Sequence, residues 1–235
     1  LHPGDTRYLG RCTDCNFGKG RRPYATHSSK TKSSLRDFQI GECWSVDEHD
    51  FCSGKFFGDG NDFQCYYGNH RYSINFVELI SGLVWSWYVP TVNAHTFSEA
   101  VDHLRNFIAV TKGNSVVLRH LYTDPHTAHV SHLMQRNYQP KHGISMEVTP
   151  QGMHWLNSKV ERQNSILRDD ARTNVRHLIG KKFNGQILHD ITMVKKFINL
   201  AHHYCVLQQW NRPTAALSRN VGLPVTSAML YFQTH

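Results

Sequence analysis

Short strand-like segments and longer amphipathic segments alternate along this chain, and their order constrains the fold more than any other feature. Alternating and β-branched residues predict strands over residues 42–51, 71–79, 83–90, 115–124 and 143–150. Helical periodicity predicts helices over 97–111, about 156–179 and roughly 189–209, the first capped by Thr96 or Ser98. Strands interrupted and followed by helices predict an α/β fold, with a mixed five-stranded sheet flanked by helices.

The long predicted helix carries both an apolar stripe and a charged face. Its stripe repeats at helical spacing and consists of Leu156, Val160, Leu167, Ala171, Val175 and Leu178. Glu161 lies one residue off this stripe, at the edge of the face expected to be buried. Asn164, Arg168 and Arg172 follow on the side of Glu161, so a single acid precedes a basic surface.

The charge distribution favours an acidic partner. The chain of 235 residues has a net charge of +8 and a pI near 9.2. Residues 1–37 carry a net charge of +5 and residues 159–182 a net charge of +4, which leaves the remainder near neutrality. Two basic regions of this kind are typical of nucleic-acid binding, although solvated surfaces would show the same composition. No apolar run is long enough to predict a membrane span, so no membrane partner is expected.

The six cysteines predict an intracellular, reduced protein, because their spacing is not that of a secreted disulfide framework. Only Cys12 and Cys15 have the spacing of metal ligands, and a structural zinc site needs four. His2 and His27 are weak candidates for the remaining ligands, and an incidental pair in a loop is the alternative. We interpret the pair as half of a zinc site whose other half precedes Leu1, which would make the chain part of a longer protein.

Three acids occupy positions where the predicted fold could bring them together. Asp47 lies in the first strand, with Asp50 as a close rival, Asp124 ends a later strand, and Glu161 begins the long helix. Taken singly, each acid is more often a surface or capping residue. Clustered carboxylates repel one another, and Mg²⁺ or Mn²⁺ relieves that repulsion because these ions prefer oxygen ligands. A two-metal site of this kind catalyses phosphodiester displacement.

Six motifs in this order resemble the integrase of copia-type LTR retrotransposons, a retroviral-integrase-like catalytic core within a Pol polyprotein. They are CTDCNFGKGRRPY, GECWSVDEHD, RYSINFVELISGLVWSWYVP, VLRHLYTD, HGISMEVTPQGMHWLNSKVERQN and the tail from INLAHHYC to GLPVTSAM. Together they span about 200 residues, and Asp124 and Glu161 are separated by 36 residues, one more than is usual in that family.

The resemblance implies a ribonuclease-H-like fold and a metal-dependent enzyme that processes DNA 3′ ends and transfers them into target DNA. Asp47, Asp124 and Glu161 would be the catalytic metal ligands, and the residues expected to contact DNA are Lys159, Asn164, Arg168 and Arg172. Zinc would require a histidine pair upstream of Cys12 and Cys15. The implied partners are retroelement DNA ends, host DNA and further copies of the chain, with the enzyme acting in the nucleus after a cytoplasmic particle stage.

The implied organisation has three parts: residues 1–37 as the end of a zinc domain with a basic linker, 38–182 as the catalytic core, and 183–235 as a closing helix and extension.

One departure from the family is the sequence after Asp124, where Pro125 and His126 replace the usual Asn-Gly. Proline fixes φ and lacks an amide proton, which alters the turn beside the expected metals. Two alternatives therefore stay open: an inactive integrase remnant that binds nucleic acid, and another ribonuclease-H-like nuclease.

Overall fold

One mixed sheet organises the chain in the computed structural model, which describes residues 37–53, 67–124, 133–148, 158–213, 218 and 224–232. Its strands are β1 (Cys43–Asp50), β2 (Tyr72–Glu78), β3 (Val84–Val89), β4 (His120–Thr123) and β5 (Ser145–Val148), in the order β3-β2-β1-β4-β5. The pairs β1–β2 and β2–β3 are antiparallel, and β4 lies parallel to both β1 and β5. The predicted α/β fold with a five-stranded mixed sheet is confirmed.

Helices cover both faces of this sheet. They are α1 (Ala94–Lys112), α2 (Gln139–His142) after a π-helical turn at Leu133–Tyr138, α3 (Ser158–Arg176), α4 (Ile191–Val194), α5 (Ile198–Asn211) and α6 (Ser227–Phe232). A two-stranded hairpin, β6 (Lys182–Phe183) and β7 (Gln186–Ile187), connects α3 to α4. Over these described ranges, no helix is both long and apolar enough to cross a membrane.

Two sequence predictions about helix ends were wrong. The first helix is capped by Asn93, not by Thr96 or Ser98, and the Asn93 side chain accepts hydrogen bonds from the backbone amides of His95 and Thr96. Thr96 instead completes a capping box by accepting from the Asn93 backbone. The predicted helix over 189–209 is interrupted, because a 3₁₀ turn at Lys195–Phe197 separates α4 from α5.

The side chains of the sheet alternate between two separate cores. On one face, Trp44 and Val46 of β1 pack with Ile74 and Phe76 of β2 beneath α1. On the other face, Val77 of β2 belongs to a second core that α3 and α5 cover. The predicted apolar stripe of α3 forms part of this second core: Val160, Leu167, Ala171 and Val175 are fully buried. Leu178 packs against it, and Leu156 lies outside the described residues.

A buried histidine lies between the sheet and α5. His202 is fully buried, and its Nδ1 lies 2.9 Å from the Tyr88 hydroxyl of β3. The rings of His49 and Phe51 contact the His202 ring at centroid distances of 5.4 and 5.3 Å. Burial, with a smaller contribution from the neighbouring His203, lowers the pKa of His202 to about 3. The neutral imidazole is therefore the form that the folded chain accommodates.

We predict that acid destabilises this chain through His202. Because the unfolded imidazole has a pKa near 6.5, protonation favours the unfolded state as the pH falls from about 6.5 towards 3. Linkage gives a loss of about 2 kcal/mol of unfolding free energy between pH 8 and pH 5 from this group. His202→Gln should flatten the pH dependence measured by urea denaturation, and the exposed control His189→Gln should not. An equally steep pH dependence in His202→Gln would assign the acid sensitivity to other groups.

Candidate active site

Asp47 is fixed at the centre of the sheet by two hydrogen bonds. Its side chain points to the face covered by α3, where the Asn164 amide nitrogen donates to Oδ2 over 2.8 Å. The backbone amide of Glu48 donates to Oδ1 over 2.9 Å. Both carboxylate oxygens are therefore oriented before any ligand arrives.

Asp124 brings a second carboxylate to the neighbourhood of Asp47. It follows β4 directly, and β4 is the parallel neighbour of β1, so both acids lie towards the carboxyl edge of these strands. Burial and the charge of Asp124 raise the pKa of Asp47 to about 6, against the opposing effect of the hydrogen bonds from Glu48 and Asn164. Two mutually repelling carboxylates in a desolvated position form the electrostatic centre of this site.

Asp50, the rival candidate for the first acid, has a different partner. Its two oxygens accept hydrogen bonds from Arg71 at 3.1 and 2.9 Å, and Oδ1 also accepts from the backbone amide of Cys52. This bidentate pair holds the end of β1 to the residue that precedes β2. Asp47 lies where the charge of Asp124 adds to burial in raising its pKa.

An ordered row of polar groups, which we call the amide relay, connects Asp47 to the edge of the sheet. The Ser86 hydroxyl donates to Asn75 Oδ1 at 2.7 Å, and the Asn75 amide donates to Asn164 Oδ1 at 3.0 Å. Because Asn164 Oδ1 is occupied by this donor, its amide nitrogen faces Asp47. The relay thus fixes which end of the Asn164 side chain meets the carboxylate.

Asn75 and Ser86 were not predicted from the sequence to belong to the site. Asn75 is fully buried, on the side of β2 that faces α3, within a strand whose other residues are mostly apolar. Because a buried polar side chain needs a hydrogen-bond partner, an asparagine within a mostly apolar strand was the sequence signal that could have identified Asn75. Asn164 was predicted to contact DNA, but it is buried between Asp47 and Asn75.

Glu161 lies on α3 one turn before Asn164 and is exposed to solvent. Over the parts of the chain that the structure describes, no three His, Cys, Asp or Glu side chains form a group that could hold a metal ion. The structure therefore brings Asp47 and Asp124 together, and it places Glu161 on the adjoining helix without closing a three-carboxylate cluster.

The three cations predicted to contact DNA are held in different ways. The Lys159 ammonium donates to the backbone carbonyls of Glu78 and Leu79, which ties the start of α3 to the end of β2. Arg168 donates to Ser165 at 2.9 Å and lies 3.4 Å from an Asp169 oxygen. Arg172 is half-buried, and burial lowers its pKa, with Asp169 opposing and Arg176 and Arg168 adding to the shift.

The donor set around Asp47 suits a hard divalent cation. Carboxylate oxygens are the ligands that Mg²⁺ and Mn²⁺ prefer. Burial first and the charge of Asp124 second raise the pKa of Asp47, and a bound cation would favour its ionised form. Other predicted features lie outside the described residues: the Cys12–Cys15 pair, His2 and His27, and the altered turn at Pro125 and His126.

A groove of about 590 Å³ between α3 and α5 is lined by Asp170, Tyr204 and Leu207 among others, and none of the three candidate acids lines it.

The fold has structural counterparts among retroviral integrases. Over 92% of this chain it superposes on a chain of the simian T-cell lymphotropic virus intasome in complex with PP2A regulatory subunit B56 gamma, with a TM-score of 0.57 and 16% identity. It spans 60% of that chain. Over 83% of its length it also superposes on the HTLV-2 integrase catalytic core domain in complex with magnesium, in trimeric and dimeric forms, with TM-scores of 0.51 and identities of 12% and 13%.

Those comparisons cover 99% of each HTLV-2 core domain, and the chain shares the ribonuclease-H-like fold of those domains. No family model and no curated protein sequence matches the chain. The likeness is therefore one of fold, and the copia-type resemblance of the sequence stays a hypothesis.

We predict that the buried hydrogen bonds of the amide relay stabilise the folded chain. Asn75→Ala leaves Asn164 Oδ1 buried without its donor, which should lower the free energy of unfolding by about 1–3 kcal/mol. Asn75→Asp should cost more, because a carboxylate cannot donate and would turn the Asn164 oxygen towards Asp47. Chemical denaturation measures both effects. Ser86→Ala removes the hydroxyl that donates to Asn75. Its control is Ser98→Ala, which removes a hydroxyl that donates to the backbone of α1. Equal losses in that pair of serine variants would argue against the relay.

Proposed function

We propose that this chain is an integrase-like catalytic core that processes DNA 3′ ends and transfers them into target DNA. One observation carries the proposal: within an integrase-like fold, Asp47 lies near Asp124 and accepts a hydrogen bond from Asn164, a residue of the helix that bears Glu161. The chemistry proposed is displacement at phosphodiester bonds, first by water and then by a DNA 3′-hydroxyl. A metal ion bound by these acids would activate the attacking oxygen and stabilise the leaving one.

The residues of the chain supply geometry to this reaction. Asp47 and Asp124 would hold Mg²⁺ or Mn²⁺, and Glu161 would complete the ligand set when its exposed side chain turns towards the bound metal. Asn164 keeps the Asp47 carboxylate aimed at the site, and Lys159 holds the start of α3 against β2. Preorganised ligands of this kind lower the cost of binding a cation, because few side chains must be ordered at that moment.

The finer assignments belong to the same proposal. We place the chain in a copia-type retrotransposon Pol polyprotein, with residues 1–37 as the end of a zinc domain completed by an upstream histidine pair and Cys12 and Cys15. The core would comprise residues 38–182 and its extension 183–235, although β6 spans that boundary and α5 packs on α3 across it. The partners would be retroelement DNA ends, host DNA in the nucleus and further copies of the chain.

We predict that Glu161→Gln abolishes Mn²⁺-dependent nicking and strand transfer and retains DNA affinity. The substitution keeps the shape and helix propensity of the side chain and removes its charge. Activity on a labelled duplex should fall by at least about a hundred-fold, since a metal ligand is lost. Glu99→Gln, on α1 at the opposite face of the sheet, is the matched control. If wild type and Glu161→Gln both bind DNA without cutting it, the chain is the inactive remnant.

We also predict that Arg168 and Arg172 contact DNA phosphates. Glutamine at both positions preserves much of the side-chain packing and removes two charges. The slope of log affinity against log salt should then become shallower by about two units, or about one for each lost contact. The control is Arg136→Ala with Lys141→Ala, two exposed cations beside α1 on the other face of the sheet. An unchanged slope in the glutamine double variant would assign both arginines to a structural role.

A further inference from the structure

The hairpin between α3 and α4 is a rigid, basic projection. Asn184 and Gly185 both have positive φ, at 46° and 84°, which is the geometry of a type I′ turn and matches the natural twist of two paired strands. Backbone hydrogen bonds from Gly180 to Leu188 and from Leu188 to Lys181 close its base. Residues 181–187 are nevertheless all exposed. An ordered backbone with exposed side chains is what a preformed binding surface requires.

Two apolar contacts at one side of the hairpin set its orientation. Leu188 is buried in the core that α3 and α5 cover, and the Phe183 ring meets the Phe197 ring edge-on at 5.0 Å. Residues paired across the ladder share a face, so Lys182 and Ile187 lie together on the face opposite Phe183. That outward face presents a cation and an apolar side chain to solvent.

The charge of this region is strongly positive. Residues 176–196 contain five lysines and arginines and one acid, Asp190, whose side chain caps α4 by accepting from the Met193 amide. Lys196 is exposed and extends over the Phe197 ring at 5.3 Å, beside the hairpin. Within the described residues, no carboxylate forms an ion pair with Lys181 or Lys182. The hairpin therefore carries cations that no carboxylate of the described residues neutralises.

The hairpin also continues a line of charge that begins near the acids. Arg168, Arg172 and Arg176 follow one another at four-residue steps along α3, and the hairpin comes directly after Arg176. At 1.5 Å per residue, Arg176 lies about 22 Å along the helix axis from Glu161. That distance corresponds to about six base pairs of duplex DNA at 3.4 Å each. The three arginines span about 12 Å of that axis. An elongated row of cations, continued by the hairpin lysines, matches a rod-shaped polyanion better than a compact acidic protein.

From this arrangement we propose that the hairpin of residues 180–188 is a docking surface for the phosphate backbone of duplex DNA, at least about six base pairs from the catalytic acids. Lys181 and Lys182 contact phosphates, and the rigid turn keeps them at a fixed distance from the site. The proposal extends the proposed DNA-processing function by giving the substrate a second point of contact, and it rests on that function only for the identity of the polyanion.

The test is the salt dependence of binding to a duplex of about 25 base pairs, with the full chain. Lys181→Ala with Lys182→Ala should make the log–log slope shallower by about two units and lower the affinity at low salt by about ten-fold. Ile187→Ser, on the same hairpin face, should leave the slope unchanged. Arg136→Ala with Lys141→Ala should also leave it unchanged. Thermal melting of every variant verifies that the effects come from charge and not from unfolding.

The outcomes separate this proposal from the proposed function. An unchanged slope in the lysine double variant overturns the DNA surface, even where the wild-type chain cuts DNA. A shallower slope in a chain that never cuts DNA supports the surface and contradicts the catalytic function. If Ile187→Ser changes the sedimentation state of the chain and the lysine variant leaves DNA binding unaltered, the hairpin is a protein contact, and the proposal is wrong.

Discussion

The hydrogen bond from Asn164 to Asp47 is the contact on which the rest of this structure depends. It joins α3 to the central strand at the half-buried carboxylate of Asp47. Rotating α3 about its axis, or sliding it along the sheet, would break this bond and leave Asp47 Oδ2 without its donor, at a cost of about 1–3 kcal/mol. The apolar stripe of α3 supplies most of the adhesion to the sheet, and this polar contact selects one orientation among those the stripe allows.

That orientation has a consequence for the chemistry. Asn164 meets Asp47 with its nitrogen because the Asn75 amide occupies its oxygen, and Ser86 in turn orients Asn75. The same helix carries Glu161 one turn earlier and the row of arginines after it. A single rigid element therefore relates the acids, the third candidate ligand and the basic surface that ends in the hairpin. The contacts that orient α3 on the sheet therefore also orient the Asp47 carboxylate in the candidate site.

The sheet and the two long helices could be predicted from the sequence because their information is local. The alternating residues that predict β2 lie within one strand, and the apolar stripe that predicts α3 lies within one helix. Both elements are confirmed. The relay could not be predicted, since Asn75 and Asn164 lie 89 positions apart and nothing local pairs them. The hairpin was missed for another reason. Its Asn184–Gly185 pair is a strong turn motif, but the strands on each side are only two residues long.

The most direct test of the central claim is whether Asp47 and Asp124 bind a divalent cation together. Mg²⁺ should raise the melting temperature of the wild-type chain, because a ligand that binds only the folded state stabilises it by mass action. Asp124→Asn should raise the metal-free melting temperature slightly, by removing the repulsion. Asp47→Asn should lower it, because one amide oxygen cannot accept from both Asn164 and Glu48. Each substitution should abolish the response to Mg²⁺. A wild-type chain that Mg²⁺ does not stabilise, or an undiminished response in both variants, would contradict the account.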